Sequence, residues 1–346
     1  MNLTTSQKNT RHRPLPRGRF IFVLSGLIAL GMIAPQVPTD DPPSPPLTHG
    51  DARIYEIRVN AHNALRSNGW PLLPRTNWCK VDLSTLLVST PETKNVEFRV
   101  ESLQDQRQWK LLIPEQSYTI RFNAMSFASK LNDRQASSIP WPESWDKSVA
   151  LYLEPSRFIE SEQDIFKQAV QENGNPKSTS VHTAAKVLIR YCLKFIKSDG
   201  QYANFTNSST PLTTGIKIKG ALRAVQDGKG SATDVVCVCV ATLRSAGIPA
   251  RPVVGITNVD IVGTKNVAPY YMVWGEYALP DVGWVPFVPK RMRGTVKNLS
   301  LDEPWQGLGT LPWLNRRIPL TYNFNCYDVD KAYQSIQMQL VSTLPE

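Results

Sequence analysis

After residue 50, apolar and polar residues alternate along several short runs of the chain. These runs are rich in Val, Ile, Tyr and Phe and are separated by Pro, Asn and Asp, a pattern typical of half-buried strands joined by turns. They predict strands at residues 54–59, 96–100, 109–113, 118–122 and 149–153. Short strands with frequent turn signals favour an antiparallel sandwich, so we expect a smaller all-β domain over residues 51–155.

The hydrophobic period changes after Pro155. Apolar residues recur there at helical spacing, and strand-like runs return closer to the C-terminus. The pattern predicts helices at 160–172, 181–197, 219–225 and 231–246, then strands at 252–256, 270–278 and 283–288. Helices followed by strands indicate an α+β domain over residues 156–346.

Residues 1–50 have the composition of a targeting segment and a linker. Basic residues end at Arg19, and residues 20–34 then form an almost uninterrupted apolar run. Roughly 15 residues suit the core of a signal peptide and are few for a helix that crosses a ~30 Å hydrocarbon layer. The Pro-rich residues 35–46 predict an extended linker. We expect export, with secretion, a place in the cell envelope, or membrane contact through an uncleaved anchor as open alternatives.

Charge and the metal-binding residue types narrow the classes of partner. The formal net charge of +10 is scattered outside the N-terminus and lacks the aromatic-plus-basic pattern of nucleic-acid modules, so no nucleic acid is expected. Such a surface would suit an anionic envelope polymer. The chain has 5 Cys and 4 His, without the spacing of a zinc site or a disulfide framework. No metal and no cofactor are predicted.

Two stretches carry a family resemblance. Residues 228–255 read GKGSATDVVCVCVATLRSAGIPARPVVG, and residues 272–289 read MVWGEYALPDVGWVPFVP. The first resembles the transglutaminase-like superfamily at Leu243, Arg244, residues 247–251 and Gly255. The second matches that family's other signature at Trp274, Glu276, Gly283, Trp284, Pro286 and Pro289. The resemblance implies a papain-like core, in which a nucleophile-bearing helix packs on an antiparallel sheet.

The same resemblance implies a Cys-His-Asp triad for acyl transfer, and this chain departs from it. The nucleophile position falls on Ala232, the His position on Met272 and the Asp position on Val288. Asp234, two residues after the nucleophile position, agrees with the family and supports the register. Methyl, thioether and isopropyl groups provide neither a nucleophile nor a proton carrier. The resemblance therefore predicts a transglutaminase-like domain with a vacated triad.

The remaining thiols and imidazoles are poorly placed to replace the missing triad residues. Cys237 lies roughly 140° around the predicted helix from Ala232, and Cys239 lies about 10 Å further along the axis. Both are expected to be small buried hydrophobic residues. His182 is expected at the surface or as a helix cap, and no histidine follows it.

The sequence thus favours a non-catalytic module that binds a peptide, a protein or an envelope component. The expected groove lies between the three vacated positions, with Asp234, Trp274, Glu276 and Trp284 as candidate binding residues. Two alternatives stay open. One is a thiol-dependent amidase, peptidase or protein-crosslinking transferase with relocated catalytic residues, and the other is a regulator of an active paralogue.

Overall fold

The structure, a computed structural model, describes residues 44–61, 72–74, 76–94, 96–97, 99–103, 108–112, 117–198, 218–257, 270–296, 298–324 and 333–344. The predicted apolar targeting segment at 20–34 and most of the Pro-rich linker lie outside these residues. Of the described helices, none combines the length and the apolar character needed to cross a bilayer.

The described elements begin with six strands, after which helices and strands are interspersed. The strands are β1 (Leu47–Ala61), β2 (Leu72–Pro74), β3 (Cys79–Ser89), β4 (Arg99–Leu103), β5 (Gln108–Leu112), β6 (Tyr118–Leu131), β7 (Lys197–Ser198), β8 (Lys229–Gly230), β9 (Ala250–Thr257), β10 (Tyr270–Leu279), β11 (Gly283–Phe287), β12 (Arg317–Thr321) and β13 (Tyr333–Leu344). The α-helices are α1 (Asp133–Ser137), α2 (Lys147–Ala150), α3 (Asp164–Glu172), α4 (Val181–Phe195), α5 (Ala221–Asp227), α6 (Ala232–Ser245) and α7 (Pro289–Met292). This mixture of helices and antiparallel sheets confirms the predicted α+β class.

The first large sheet has the strand order β13-β1-β6-β3. Side chains of β6 alternate between buried and more exposed positions over most of its length, which is the period of two expected for a sheet with one covered face. Ile57 on β1 pairs with Phe122 on one side and with Met338 of β13 on the other. The C-terminal strand therefore completes a sheet that begins at residue 47. The predicted division of the chain at residue 155 stays a prediction.

A second four-stranded sheet, with the antiparallel order β11-β10-β9-β12, carries the strands of the family resemblance. Helix α6 packs against β9 and β10 and also against α3, α4 and α5. Every residue from Thr233 to Arg244 is buried, so α6 is a central helix enclosed on all sides.

The strand predicted at residues 149–153 is wrong. The structure has α2 there, followed by a 3-10 turn at Leu151–Leu153. The side chain of Asp146 accepts a hydrogen bond from the Ser148 backbone N–H at 2.8 Å and so caps the start of α2. This local cap overrides the β propensity of Val149, Leu151 and Tyr152.

Candidate functional site

The first turn of α6 is held in place by a reciprocal cap. The Ser231 hydroxyl accepts a hydrogen bond from the Asp234 backbone N–H at 3.1 Å, and the Asp234 carboxylate accepts one from the Ser231 N–H at 2.9 Å. This capping box fixes the helix start at Ala232. Ala232 is half-buried there, in the position that the family resemblance assigns to the nucleophile.

Asp234 also orders the segment that precedes the helix. Its second carboxylate oxygen accepts hydrogen bonds from the backbone N–H groups of Lys219 at 2.8 Å and Gly220 at 3.2 Å. The Ser231 hydroxyl lies 2.9 Å from the other oxygen. Asp234 is buried, and these contacts satisfy both oxygens. Its role is structural organisation of the helix entrance, and it presents no free carboxylate to a ligand.

The other two positions that the resemblance assigns to the triad, Met272 and Val288, lie on β10 and directly after β11. Gly275 on β10 pairs with Phe287 on β11, and Met272 pairs with Gly255 on β9. Extending the β10–β11 register by one residue sets Val288 opposite Trp274, so Val288 and Met272 share a sheet face as diagonal neighbours. Met272 is half-buried and Val288 is 2% exposed. The strand register thus places these two apolar side chains on one sheet face, and their assignment to the His and Asp positions stays a prediction.

Glu276, on the same face of β10 as Met272, forms a buried ion pair. Its carboxylate accepts two hydrogen bonds from Arg251, at 2.9 Å from Nε and 2.7 Å from Nη2. A third comes from Trp78 Nε1 at 3.0 Å. Glu276 is 0% exposed and Arg251 is 2% exposed. Burial alone would lower the pKa of the guanidinium, but the Glu276 carboxylate holds it above its ordinary value.

Aromatic rings enclose this pair. The Arg251 guanidinium lies 3.9 Å from the centre of the Trp284 ring and 3.7 Å from that of Tyr322. These are short cation–π distances, and they keep the planar guanidinium fixed between two rings. The Trp284 side chain therefore packs against the ion pair, and 8% of its surface is exposed.

Trp274 is a core residue of the second sheet. It is 0% exposed, lies 5.8 Å from Trp78 by ring centres, and packs over Gly255. A Cβ at Gly255 would stand 2.6 Å from the Trp274 ring, so this glycine is required for the close approach. The four candidate binding residues, Asp234, Trp274, Glu276 and Trp284, thus all have internal packing or polar partners. Their role in a ligand groove stays a prediction.

A small cavity adjoins the ion pair. It is lined by Leu47, His49, Thr76, Asn77, Trp78, Arg251 and Trp284. Its volume of about 10 Å³ corresponds to a single water molecule. Even with Arg251 and Trp284 in its wall, the cavity is too small to hold an organic substrate.

The described thiols are all buried. Burial, together with the nearby Asp234 and Glu160 carboxylates, raises the pKa of Cys237 well above its usual range. The pKa of Cys239 is raised by its hydrogen bond with Cys192 and by burial. Burial also raises the pKa of Cys79. These thiols lack the exposed, electropositive setting that activates a cysteine, as the sequence leads us to expect for Cys237 and Cys239.

His182 lies elsewhere than expected, and its surface or capping role is wrong. It is 0% exposed, with Nδ1 2.5 Å from the Tyr277 hydroxyl and Nε2 2.9 Å from Asp133 Oδ1. Lys186 contacts the other oxygen of Asp133 and donates to the backbone carbonyls of Leu301 and Glu303 at 2.7 and 2.9 Å. This His182 network joins α1, α4, β10 and the segment before β12. Ser180 takes the capping role at α4 instead. Among the described residues, no group of three or more His, Cys, Asp or Glu side chains is arranged to hold a metal ion.

Comparison with protein families supports the resemblance. Residues 168–289 match the model of the transglutaminase-like superfamily. The matched segment includes α4, α6 and the strands β9 to β11, and it contains Ala232, Met272 and Val288. A comparison with curated protein sequences finds no match.

Solved structures with a similar chain course include bacterial proteins. A candidate cysteine protease from Cytophaga hutchinsonii is 17% identical with a TM-score of 0.49, and the match covers 87% of this chain and 91% of that one. The periplasmic domain of TgpA from Pseudomonas aeruginosa is 13% identical with a TM-score of 0.34, and the match covers 71% and 91%. A candidate protease from Parabacteroides distasonis is 10% identical with a TM-score of 0.26, over 77% and 72%.

The central helix that begins at a capped position, the antiparallel sheet beside it and the family match agree with one another. They confirm the resemblance read from the two sequence signatures. Residues 168–289 therefore form a transglutaminase-like domain of mixed helices and antiparallel strands.

Proposed function

We propose that this chain is an exported, non-catalytic transglutaminase-like protein that binds a peptide or a cell-envelope component. The observation that carries the proposal is the side-chain chemistry at the three triad positions. Ala232 begins α6, Met272 lies on β10, and Val288 directly follows β11. None of the three can form an acyl-enzyme, move a proton or orient an imidazole.

The intact helix entrance supports retention of the scaffold without the chemistry. Ser231 and Asp234 still form the capping box, and Asp234 still orders Lys219 and Gly220. A relocated nucleophile finds no support among the described thiols, because Cys237 and Cys239 are buried with raised pKa values. The only described imidazole that follows α3 is His182, which is enclosed by Tyr277 and Asp133.

The binding surface proposed here lies at the half-buried side chains of Ala232 and Met272. Small and flexible apolar groups at these points would accept an extended peptide more readily than a charged polymer. The net charge of +10 would add long-range attraction to anionic envelope material. We propose export because residues 1–34 have the basic and apolar composition of a targeting segment.

The absence of catalysis can be tested with a fluorescent primary amine and a glutamine-rich acceptor protein. We expect no covalent incorporation and no amide hydrolysis by the purified full chain. Incorporation that disappears in Cys237→Ser or Cys239→Ser would overturn the proposal and favour the relocated enzyme.

A designed thiol then tests whether Ala232 occupies the nucleophile position. Ala232→Cys, in a Cys326→Ser background, should react with limiting iodoacetamide about tenfold faster at pH 7 than Thr343→Cys, an exposed control on strand β13. The reason is that a helix N-terminus lowers a thiol pKa by about one unit or more. Equal labelling rates, measured by peptide mass spectrometry, would contradict the assignment of Ala232.

Binding is tested separately by cosedimentation with purified peptidoglycan and by screening an immobilised peptide array. Ala232→Trp should abolish retention, whereas Thr343→Trp, at an exposed position on β13, should leave it unchanged. Retention that survives Ala232→Trp would place the binding surface elsewhere.

Export is tested by fusing residues 1–50 to alkaline phosphatase. We expect phosphatase activity outside the cytoplasm, and its absence there would contradict export.

A further inference from the structure

A two-stranded sheet beside the entrance of α6 brings two lysines together. Lys197 on β7 and Lys229 on β8 are partners in this parallel pair, so their backbones are roughly 5 Å apart. Both residues are exposed, and like charges in this arrangement repel each other. Lys229 also lies three residues before Ala232. The lysine pair, Lys197 and Lys229, therefore borders the surface proposed above for ligand binding.

The acidic residues that the structure describes do not neutralise the lysine pair. The acidic residue closest to Lys229 in the sequence is Asp227, and its carboxylate is already engaged by two other cations. Lys219 Nζ lies 2.9 Å from one oxygen, and Arg223 Nε lies 3.1 Å from the other. Neither Lys197 nor Lys229 has an ion-pair partner among the described residues. The pair is thus a local excess of positive charge.

Stabilisation of the α4 C-terminus does not account for the lysine pair. Lys194, in the last turn of α4, is placed to offset the helix dipole. Arg293 Nη1 donates a hydrogen bond to the Ile196 carbonyl at 2.6 Å. The Lys197 backbone N–H donates to the Gly228 carbonyl at 2.9 Å. The backbone is therefore held without the Lys197 ammonium group, which remains available to a ligand.

An exposed aromatic ring precedes Lys197 by two residues. Phe195 is 49% exposed, and its ring lies parallel to that of Tyr191, with 6.0 Å between ring centres and 5° between ring planes. The Tyr191 hydroxyl donates to the Glu172 carboxylate at 2.7 Å, which fixes the Tyr191 ring. A flat apolar ring beside cations suits an acidic sugar, because the C–H groups of a sugar pack on an aromatic face while its carboxylate meets an ammonium group.

We propose that Lys197, Lys229 and Phe195 together bind an acidic glycan, a chain of sugar rings that carry carboxylate groups. The inference rests on the proposed function, because it names the chemistry of the envelope component that an exported chain would meet. Lysine ammonium groups are compact point charges that contact a carboxylate without a fixed orientation. The Phe195 ring distinguishes the glycan from an acidic peptide, which has no sugar ring to pack against it.

Binding is measured by biolayer interferometry of the full chain on immobilised oligogalacturonate at pH 7 and physiological salt. The neutral comparison is the same oligosaccharide with its carboxyl groups methyl-esterified. The acidic-peptide comparison is oligoglutamate with the same number of carboxylates. We expect the Kd for oligogalacturonate to be about tenfold lower than for either comparison ligand. Equal affinity for oligoglutamate, or for the methyl ester, would overturn the proposal.

A pair of double variants separates the lysine pair from the overall charge. Lys197→Gln with Lys229→Gln should raise the Kd for oligogalacturonate about tenfold, because two contacts with carboxylates are lost. The matched control is Lys130→Gln with Lys147→Gln, which removes two exposed lysines elsewhere and lowers the net charge equally. The control should raise the Kd by less than about threefold. Equal effects of the two double variants would overturn the proposal.

Phe195→Ala tests the sugar contact. It should raise the Kd for oligogalacturonate about fivefold and leave the Kd for oligoglutamate unchanged. An equal change for both ligands, or a change for neither, would overturn the role of Phe195. If oligogalacturonate does not bind while Ala232→Trp still abolishes retention on peptidoglycan, the glycan inference alone fails and the proposed function stands. Lysine-dependent binding of oligogalacturonate with retention that survives Ala232→Trp would support the glycan surface and overturn the binding surface at Ala232.

Discussion

The buried ion pair between Glu276 and Arg251 makes the sharpest stability prediction. Glu276→Gln removes the negative charge while keeping the shape of the side chain. Gln can still accept the hydrogen bond from Trp78 Nε1, 3.0 Å away in the native protein. It cannot neutralise the Arg251 guanidinium, which is 2% exposed and held between Trp284 and Tyr322. The substitution therefore isolates the effect of an unpaired buried charge.

The expected magnitude follows from burial and geometry. Breaking one side of a buried, hydrogen-bonded pair costs about 3–5 kcal/mol, because the remaining charge loses its partner without regaining water. Because Glu276→Gln keeps an oxygen that accepts a hydrogen bond, we expect it to lower the free energy of unfolding by about 3 kcal/mol, the lower end of this range. Arg251→Met should cost a similar amount by stranding the carboxylate. The double variant should cost markedly less than the sum, since it leaves no buried charge and loses mainly the cation–π contacts, each about 0.5–2 kcal/mol.

Urea unfolding followed by far-UV circular dichroism measures these values. Tryptophan fluorescence would be less suitable, because Trp78 and Trp284 touch the substituted groups. The control is Glu56→Gln, which breaks the more exposed pair with Arg121 and should change stability by at most about 1 kcal/mol. An additive double variant, or a Glu276→Gln effect no larger than that of Glu56→Gln, would refute the reasoning.

Three further variants test other parts of the site. Gly255→Ala should destabilise by about 2 kcal/mol or more in urea unfolding, because its Cβ would lie 2.5 Å from the Ile318 carbonyl oxygen, whereas Gly294→Ala, with nothing within 4 Å, should be nearly neutral. Burial alone would raise the pKa of Asp133, but hydrogen bonds with His182 and Lys186 hold it below its usual value. That contribution is complete above the unfolded pKa near 4 and is lost as pH falls through the lower folded value, so the stability gap between the native protein and Asp133→Asn should shrink below about pH 4. A constant gap would contradict this sign. Val288→Asp alone should cost about 3 kcal/mol or more at pH 7, because the residue is 2% exposed and a carboxylate there would lose its hydration. Val288→Thr is the matched control, and equal stability of the two variants would be incompatible with a buried position.

Local sequence signals predicted α6 and the strands around it well. Its apolar character, the Ser231 cap and the turn at Gly247 and Pro249 gave a helix at 231–246, against Ala232–Ser245 in the structure. The family signatures then assigned roles to residues that lie close together in the sequence. Each of these assignments could therefore be made from one segment of the chain.

Apart from the strand wrongly predicted at residues 149–153, where a local cap decides, the failures concern contacts between distant segments. His182 bonds to Asp133, 49 residues away, and to Tyr277, 95 residues away, so no local pattern announces its burial. Strand β13 was not predicted, although Ile336, Met338 and Leu340 alternate with polar residues. Its partner β1 lies near the other end of the described chain, so alternation alone could not identify the pairing. Arg251 is part of the motif, but it could be identified as the partner of Glu276 only from the register of the sheet.

The contrast between Asp234 and the vacated triad explains which family residues this chain keeps under the proposed loss of catalysis. Asp234 accepts hydrogen bonds from three backbone N–H groups and lies beside the Ser231 hydroxyl, so its replacement would leave buried donors unsatisfied whether or not a nucleophile is present. A carboxylate at position 288 would have no such structural role. In the family it orients the imidazole, and the imidazole in turn acts on the thiol. Once the thiol is absent, a buried imidazole and carboxylate carry a desolvation cost without a function. Apolar residues at 272 and 288 remove that cost, while the same substitution at 234 would create one.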